Sequence, residues 1–381
     1  MQLIAVASGK GGVGKSLISA NLAIALAQAG KDVVVADLDL GGSNLHLILG
    51  QMAVSTGIGS FLQNSKITLE EIIYPSPYEN LRFIPGESEL PGVANIRSGE
   101  KNRLIRHLSK LECDYLILDL GAGTSFNTMD FYLLSTCGIL VTTPTLTSTL
   151  NAYLFLKNAV FRVLNSCINR DSPVYGYMEG LKKDGVSLQK IHVGKLLENI
   201  KKLDEGVYEE YMEKTSHMRP RLIMNMLEDP KDTNRANKLK ISSRQYLGLE
   251  MEHLGVIYRD DLQNMALNSQ LPIIVYKPQS VLSQALYRIA DKILEMEQIP
   301  VEPLALGEGD MSFLEAAYEA EQDFENKRAS LEELLHCGAL TQGDLIETIK
   351  MQQFELTQLK KENRLIKHKL TQAIQAGYDV K

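Results

Sequence analysis

Near its start the chain carries residues whose types and spacing fit the binding of a polyphosphate. Gly9-Lys10-Gly11-Gly12-Val13-Gly14-Lys15-Ser16 fits the pattern G-x-x-x-x-G-K-[ST], with an apolar run before it and a helical pattern after it. Glycines let a backbone curl until its N–H groups point inward at phosphate oxygens. Here the cradle is formed by Gly11, Gly12, Val13, Gly14, Lys15 and Ser16, with Leu17 completing the turn into the helix. A helix N-terminus adds its positive end to the same anion. Lys15 would neutralise β/γ oxygens, and the Ser16 hydroxyl would ligate Mg²⁺. With glycine at about 7% of residues, a chain of this size matches the four fixed positions by chance roughly once in a hundred.

Carboxylates stand where such a loop needs them. Val33-Val34-Val35-Ala36-Asp37-Leu38-Asp39 runs off the end of an apolar strand. Successive residues on a regular strand point to opposite faces, so Asp37 and Asp39, two apart, fall on one face where the strand gives way to a loop. They make sense as the strand unravels beside the phosphates, at the carboxyl end where open α/β sheets bind ligands. Tyr115-Leu116-Ile117-Leu118-Asp119 is a second apolar strand ending in an acid. Asp119 would hold the water shell of Mg²⁺.

The elements that position these residues alternate. Strand patterns lie at Leu3–Ala7, Val33–Ala36, Leu81–Pro85, Tyr115–Leu118, Gly138–Thr142, Leu222–Met226 and Gly255–Tyr258, with helical patterns between most of them. This order predicts an α/β fold, a mainly parallel sheet with helices on both faces. Residues 1–298 form the main domain, in which 170–220 is too long for a bare loop and reads as a helical insertion. Pro300, Pro303, Gly307 and Gly309 punctuate a linker over 299–311. A helical extension occupies 312–381.

Lys10 is surplus to an ordinary phosphate cradle. A lysine at this place marks the deviant Walker A motif, and the sequence here resembles the MinD/ParA family of P-loop ATPases, most closely its MinD and FlhG branch. The resemblance covers residues 1–165 and 220–298. It implies an ATP-driven homodimer in which Lys10 reaches the partner's phosphates, Asp39 orients or activates the attacking water, Asp37 supports Mg²⁺ through water, and Asn44 lies near the nucleotide. Leu120-Gly121-Ala122-Gly123 resembles the family's second switch, and Thr142-Thr143-Pro144-Thr145 also resembles the FlhG branch. By the same resemblance Asn225 lies against adenine. Gly255-Val256-Ile257-Tyr258-Arg259-Asp260 looks like the family's Gly-x-x-Pro-x-Asp turn, with Tyr258 in place of the proline. The implied activity is hydrolysis of ATP to ADP and phosphate, slow without an activator. Its implied output is the positioning or regulation of a cell-division, flagellar or polar structure.

Composition bounds the alternatives. With 381 residues, 44% hydrophobic and 23% charged, the chain is ordinary globular material, and its net charge of -7 argues against broad nucleic-acid binding. A DNA-partitioning ParA-type ATPase needs a basic face, for which Lys182, Lys183, Lys190, Lys195, Lys201 and Lys202 of the insertion are the candidates. An electron-transfer or cluster-carrier ATPase needs paired thiols. Cys113, Cys137, Cys167 and Cys337 are far apart, leaving Cys137 as a single bridge across a dimer. A tyrosine kinase of the same loop type would have a tyrosine-rich tail, and from residue 337 on the chain has Tyr378 alone. Scattered thiols, the absence of a membrane-length apolar run and the lack of a basic leader indicate the cytoplasm, with the inner membrane face as a peripheral site.

The tail holds a heptad pattern over 345–376. Ile349, Leu356, Asn363 and Leu370 fall at a, and Gln352, Leu359, Ile366 and Ala373 at d. Glu355 with Lys360 and Glu362 with Lys367 would attract across a parallel dimer. An intrachain hairpin and a membrane-surface helix are the other two readings. Residues 170–220 or 312–381 would receive a protein partner.

Overall fold

The computed structural model describes residues 1–42, 44–51, 56–86, 96–135, 137–183, 192–216, 218–296, 310–336, 346 and 350. The strands are β1 (Gln2–Ala7), β2 (Val33–Leu38), β3 (Tyr74–Pro75), β4 (Leu81–Ile84), β5 (Tyr115–Leu120), β6 (Cys137–Thr142), β7 (Arg221–Leu227) and β8 (Glu252–Tyr258). The helices up to the insertion are α1 (Lys15–Gln28), α2 (Leu45–Ile48), α3 (Ile58–Gln63), α4 (Ser98–Leu108), α5 (Phe126–Leu133) and α6 (Leu146–Cys167). There follow α7 (Pro173–Lys183), α8 (Val193–Leu203), α9 (Glu205–Ser216), α10 (Thr233–Leu247), α11 (Leu262–Asn268), α12 (Ile273–Tyr276), α13 (Val281–Met296) and α14 (Asp310–His336).

The strands form one sheet in the order β3-β4-β2-β5-β1-β6-β7-β8. Every pairing is parallel except that of β3 with β4. The expected fold class is borne out. Strand alternation decides the layers. Ile4, Val6, Val33, Val35, Ile117 and Ile139 pack in one core with α1 and α13, while Ala5, Val34, Ala36, Leu116, Leu118 and Leu140 face the other. The second core takes in α6, the insertion helices α8 and α9 through Val193, Leu196, Ile200, Val207 and Tyr211, and the start of α14 through Phe313, Ala316 and Ala320. The sheet is apolar on both sides, which is why its strands read as continuous apolar runs.

The chain divides into two compact units, Met1–Phe324 and Glu325–Lys381. The first half of α14 therefore belongs with the α/β unit. Residues 299–309 of the linker and every seam residue of the heptad pattern lie outside the described residues. Of the second unit, the described part is the continuation of α14 to His336 and the helical residues Ile346 and Lys350. Among the described residues no helix is long and apolar enough to cross a membrane.

Candidate functional site

The loop between β1 and α1 lies at the carboxyl ends of β1, β2 and β5, because β5 separates β1 from β2 in the sheet. Two glycines show why other residues do not fit. At Gly9 a Cβ would stand 2.2 Å from the backbone oxygen of Asn151 in α6. Gly14 has φ +87°, a region L-residues rarely enter, and a Cβ there would meet Asn225 Nδ2 at 2.3 Å. Gly14 also precedes the first residue of α1, so the helix begins directly under the loop.

Lys15 is buried and its Nζ donates to Asp119 Oδ1 at 2.8 Å. Ser19, one helical turn on, donates its hydroxyl to the same oxygen at 2.9 Å. Asp119 Oδ2 is buried without a hydrogen-bond partner among the described residues. Ser16 Oγ lies 3.5 Å from Lys15 Nζ. The Asp119 carboxylate and the Ser16 hydroxyl, each within 3.5 Å of Lys15 Nζ, are an all-oxygen donor pair, which suits a hard cation such as Mg²⁺. Among the described residues no group of three His, Cys, Asp or Glu could hold a metal by itself. A magnesium ion here would take its remaining ligands from phosphate and water.

Asp37 and Asp119 are register partners on neighbouring strands. Asp37 is fully buried, and its two oxygens accept the N–H groups of Asp39 at 3.0 Å and Leu45 at 3.2 Å. It thus folds the segment that carries Asp39. Asp39 Oδ1 lies 3.4 Å from where a Cβ on Gly121 would stand, so it rests against the glycine turn after β5. Burial pushes the Asp39 carboxyl above the usual carboxylate range. Lys15 opposes the shift, Asp119 reinforces it and the Gly41 N–H opposes it. The same glycine turn is tied to the phosphate loop, since Gly123 N–H donates to the Ser8 carbonyl at 3.0 Å. Ser8 in turn donates its hydroxyl to the Lys10 carbonyl at 3.0 Å.

The structure thus brings Lys15, Ser16, Asp39 and Asp119 together, with Asp37 one layer behind. Val13 is buried, Leu17 half-buried, and Lys10, Gly11 and Gly12 are exposed at the loop's outer edge. Asn44 is exposed and its amide donates to Gly42 O at 2.8 Å, so it shapes its own turn. Asn225 is buried and donates to the carbonyl of Val13 at 2.8 Å, supporting the phosphate loop from β7. Ser19 escaped the sequence reading, although its place four residues after Lys15 put it on the same helix face. Tyr258 is also explained: its hydroxyl donates to Ala320 O of α14 at 2.8 Å.

Cys137 is 0% exposed in β6, with its thiol pushed up by burial, so the expectation that it could bridge a dimer is corrected. Cys167 is buried and Cys113 half-buried. Lys195, Lys201 and Lys202 are exposed on α8, whereas Lys190 and the side chains of Lys182 and Lys183 lie outside the described residues.

A glycine cradle between a central parallel strand and a buried helix start, faced by a lysine–aspartate pair at the strand ends, defines a P-loop NTPase domain. Residues 1–169 match the family described as ParA, NUBPL iron-transfer P-loop NTPase. Over residues 1–169, less than half of its length, the chain thus carries a P-loop NTPase domain similar to the ParA family. It is similar to the flagellum site-determining protein YlxH of Helicobacter pylori, 37% identical over 158 residues, covering 41% of this chain and 53% of that protein. It is also similar to the antiactivator FleN of Pseudomonas aeruginosa, 24% identical over 296 residues, 77% of this chain and 86% of the relative. Among solved structures, the septum site-determining protein MinD of Pyrococcus horikoshii, complexed with Mg-ADP, superposes with a TM-score of 0.52 at 22% identity, over 78% of this chain and 97% of that one. The match to YlxH, like that to Helicobacter pylori MinD at 54%, spans about half of the relative's length.

Proposed function

We propose that the chain is an ATP-dependent dimerisation switch that hydrolyses ATP to ADP and phosphate, and whose nucleotide state sets the placement of a flagellar or cell-division structure. The observation that carries the reading is the buried Lys15–Asp119 pair at the mouth of the phosphate loop, with Asp39 held beside it. Lys15 turns from Asp119 to the β/γ oxygens when nucleotide enters. That movement leaves Asp119 Oδ1 with the Ser19 hydroxyl as its partner, and Asp119 would then hold the metal's water shell, with the Ser16 hydroxyl as a direct ligand. Bound there, Mg²⁺ would supply neutralisation of the phosphate charge.

Asp39 accepts a hydrogen bond from the attacking water and orients it toward the γ-phosphorus. As the water oxygen bonds to that phosphorus, the bond from phosphorus to the bridging oxygen breaks, ADP carries the electron pair away, and the water's proton leaves with the phosphate or to solvent by way of Asp39. Gly121 and Gly123 form the backbone that follows the γ-phosphate, and the Gly123–Ser8 bond links its movement to the loop. Lys10, exposed at the loop's edge, is placed to reach a second subunit. Asn225 serves the nucleotide through the loop carbonyl it supports. The insertion or the helical extension receives a protein partner. The names of YlxH, FleN and MinD, which refer to flagellum siting, antiactivation and septum siting, support placement or regulation as the output.

The iron-transfer description of the matched family suggests a second reading, a cluster carrier. The burial of Cys137 and Cys167 speaks against it.

Sedimentation of the wild type and Asp39→Ala, each with Mg-ATP or Mg-ADP, tests the switch. Asp39→Ala is expected to remain a dimer in ATP and to fall to monomer in ADP, and Lys10→Ala to bind ATP without dimerising. Absence of magnesium-dependent adenine-nucleotide affinity, unchanged by replacing Lys15, would remove the reading.

A further inference from the structure

Strand β8 ends the sheet, and α14 packs along it. The backbone N–H of His253 donates to Ser312 Oγ at 2.9 Å, and Phe313 meets the His253 ring edge-on at a centroid distance of 5.1 Å. Asp310 accepts from Lys240 and Arg244 of α10, Glu319 pairs with Lys292, and Asp323 with Arg288 of α13. At the far end of β8 the buried Tyr258 donates its hydroxyl to Ala320 O.

Tyr258 is the register partner of Leu227 in β7, and the next N–H, that of Arg259, donates to the Leu227 carbonyl at 3.0 Å. Between Met224 and Leu227 the register of β7 shifts, and Met226 has φ +60°. A non-glycine residue persists in that region only where its surroundings hold it. This bulge presents the Asn225 amide to the Val13 carbonyl of the phosphate loop. An unbroken line of contacts therefore runs from Ala320 through Tyr258, Leu227 and Asn225 to Val13.

We infer that the first half of α14, residues 310–324, braces the phosphate loop, and that Tyr258 is the positioning residue that transmits its hold. A proline at 258, as in the turn this segment resembles, has no hydroxyl to offer α14. The tyrosine and the added helix thus form two halves of one device. The consequence for nucleotide affinity rests on the proposed function, whereas the brace itself can be read without nucleotide.

The test is Tyr258→Phe in the full chain, which keeps the ring and removes the hydroxyl. Amide hydrogen exchange without nucleotide should quicken about fivefold, the scale of one net hydrogen bond, across 222–228 and 9–17 as well as locally. Exchange over α4 should not change. A response confined to 252–262 and 310–324 would overturn the brace. Ser312→Ala, which loosens α14 at the start of β8, serves as the comparison and should leave 9–17 unchanged. If Mg-ADP binds the wild type, its Kd should rise about fivefold in Tyr258→Phe and not rise further when Tyr258→Phe is added to Asn225→Ala, because both act through one contact. Additive effects would also overturn the inference. A wild type that binds no Mg-ADP while the exchange response appears would remove the proposed function and leave the brace standing.

Discussion

Lys15 Nζ lies 2.8 Å from Asp119 Oδ1 with both side chains sealed from solvent, at 6% and 1% exposure. Removing one partner of a buried pair leaves the other charge uncompensated, a loss of about 3–5 kcal/mol. Lys15→Ala is therefore expected to lower nucleotide-free stability on that scale and to abolish Mg-ATP affinity. Lys15→Ala with Asp119→Ala should recover much of the stability and none of the binding. Urea unfolding and titration with a fluorescent nucleotide measure the two effects.

Asp39 titrates above the usual carboxylate range because burial disfavours its charged form, against the opposing pull of Lys15. Two consequences follow in sign. In the proposed hydrolysis Asp39 acts as the ionised carboxylate, so the rate should fall as pH drops through a pKa above the ordinary value of 3.8. The ionised form is also the costly one in the fold, so the neutral Asp39→Asn should be at least as stable as the wild type at neutral pH while hydrolysing far more slowly. A pH–rate profile and parallel thermal melts check both; a less stable Asp39→Asn would mean that the charge is welcome where it sits.

The phosphate loop and the acids at the strand ends were legible because each requirement is local. Glycine spacing, an apolar strand and a terminal carboxylate all fall within a few residues of one another. Strand β3 was not legible: Tyr74–Pro75 is two residues long, contains proline and pairs antiparallel at an edge. The hydrogen bond from Asn225 to Val13 joins residues 212 apart, and no local pattern records such a contact. The compact unit extends to Phe324 for a related reason. Phe313, Ala316 and Ala320 have helical spacing, but their partners His253 and Tyr258 lie about 60 residues upstream. Tyr258 stood out in the sequence as a departure from a familiar turn, and its meaning appeared only when α14 was placed beside it.

Gly9 and Gly14 should fail differently. The Asn151 backbone oxygen, 2.2 Å from a Cβ at Gly9, can yield only if α6 moves, so Gly9→Ala should destabilise the fold by about 1–3 kcal/mol. At Gly14 the obstructing atom belongs to the Asn225 side chain, and the positive φ adds strain of about 1–2 kcal/mol. Trimming Asn225 to Ala in the Gly14→Ala protein should therefore relieve part of the loss, whereas no single side-chain truncation should relieve Gly9→Ala. Denaturation midpoints of the single and double variants decide this, and equal rescue at both positions would mean that α6 adapts freely.

His253 is buried edge-on against Phe313 within the electrostatic reach of Lys292 and Lys240, and neither ring nitrogen has a hydrogen-bond partner among the described residues. Burial, reinforced by the two lysines, holds its pKa down to about 3, against an ordinary 6.5. The folded protein therefore keeps the ring neutral where the unfolded chain takes up a proton. Stability must then fall as pH drops below 6.5, and the loss must continue until the folded pKa is reached. A one-proton difference has a limiting slope of about 1.4 kcal/mol per pH unit. Glu252, Asp310, Glu319 and Asp323 stand nearby and are common to the wild type and His253→Leu, so the difference between the two proteins from pH 6.5 to 5 isolates the histidine. Over that interval the wild type should lose about 1.5 kcal/mol more than His253→Leu, in which nothing titrates at this position. Chemical denaturation of both proteins at a series of pH values measures the difference. Parallel curves would mean that the folded protein accepts the proton, and hence that the start of α14 opens to water far more readily than its packing against β8 implies.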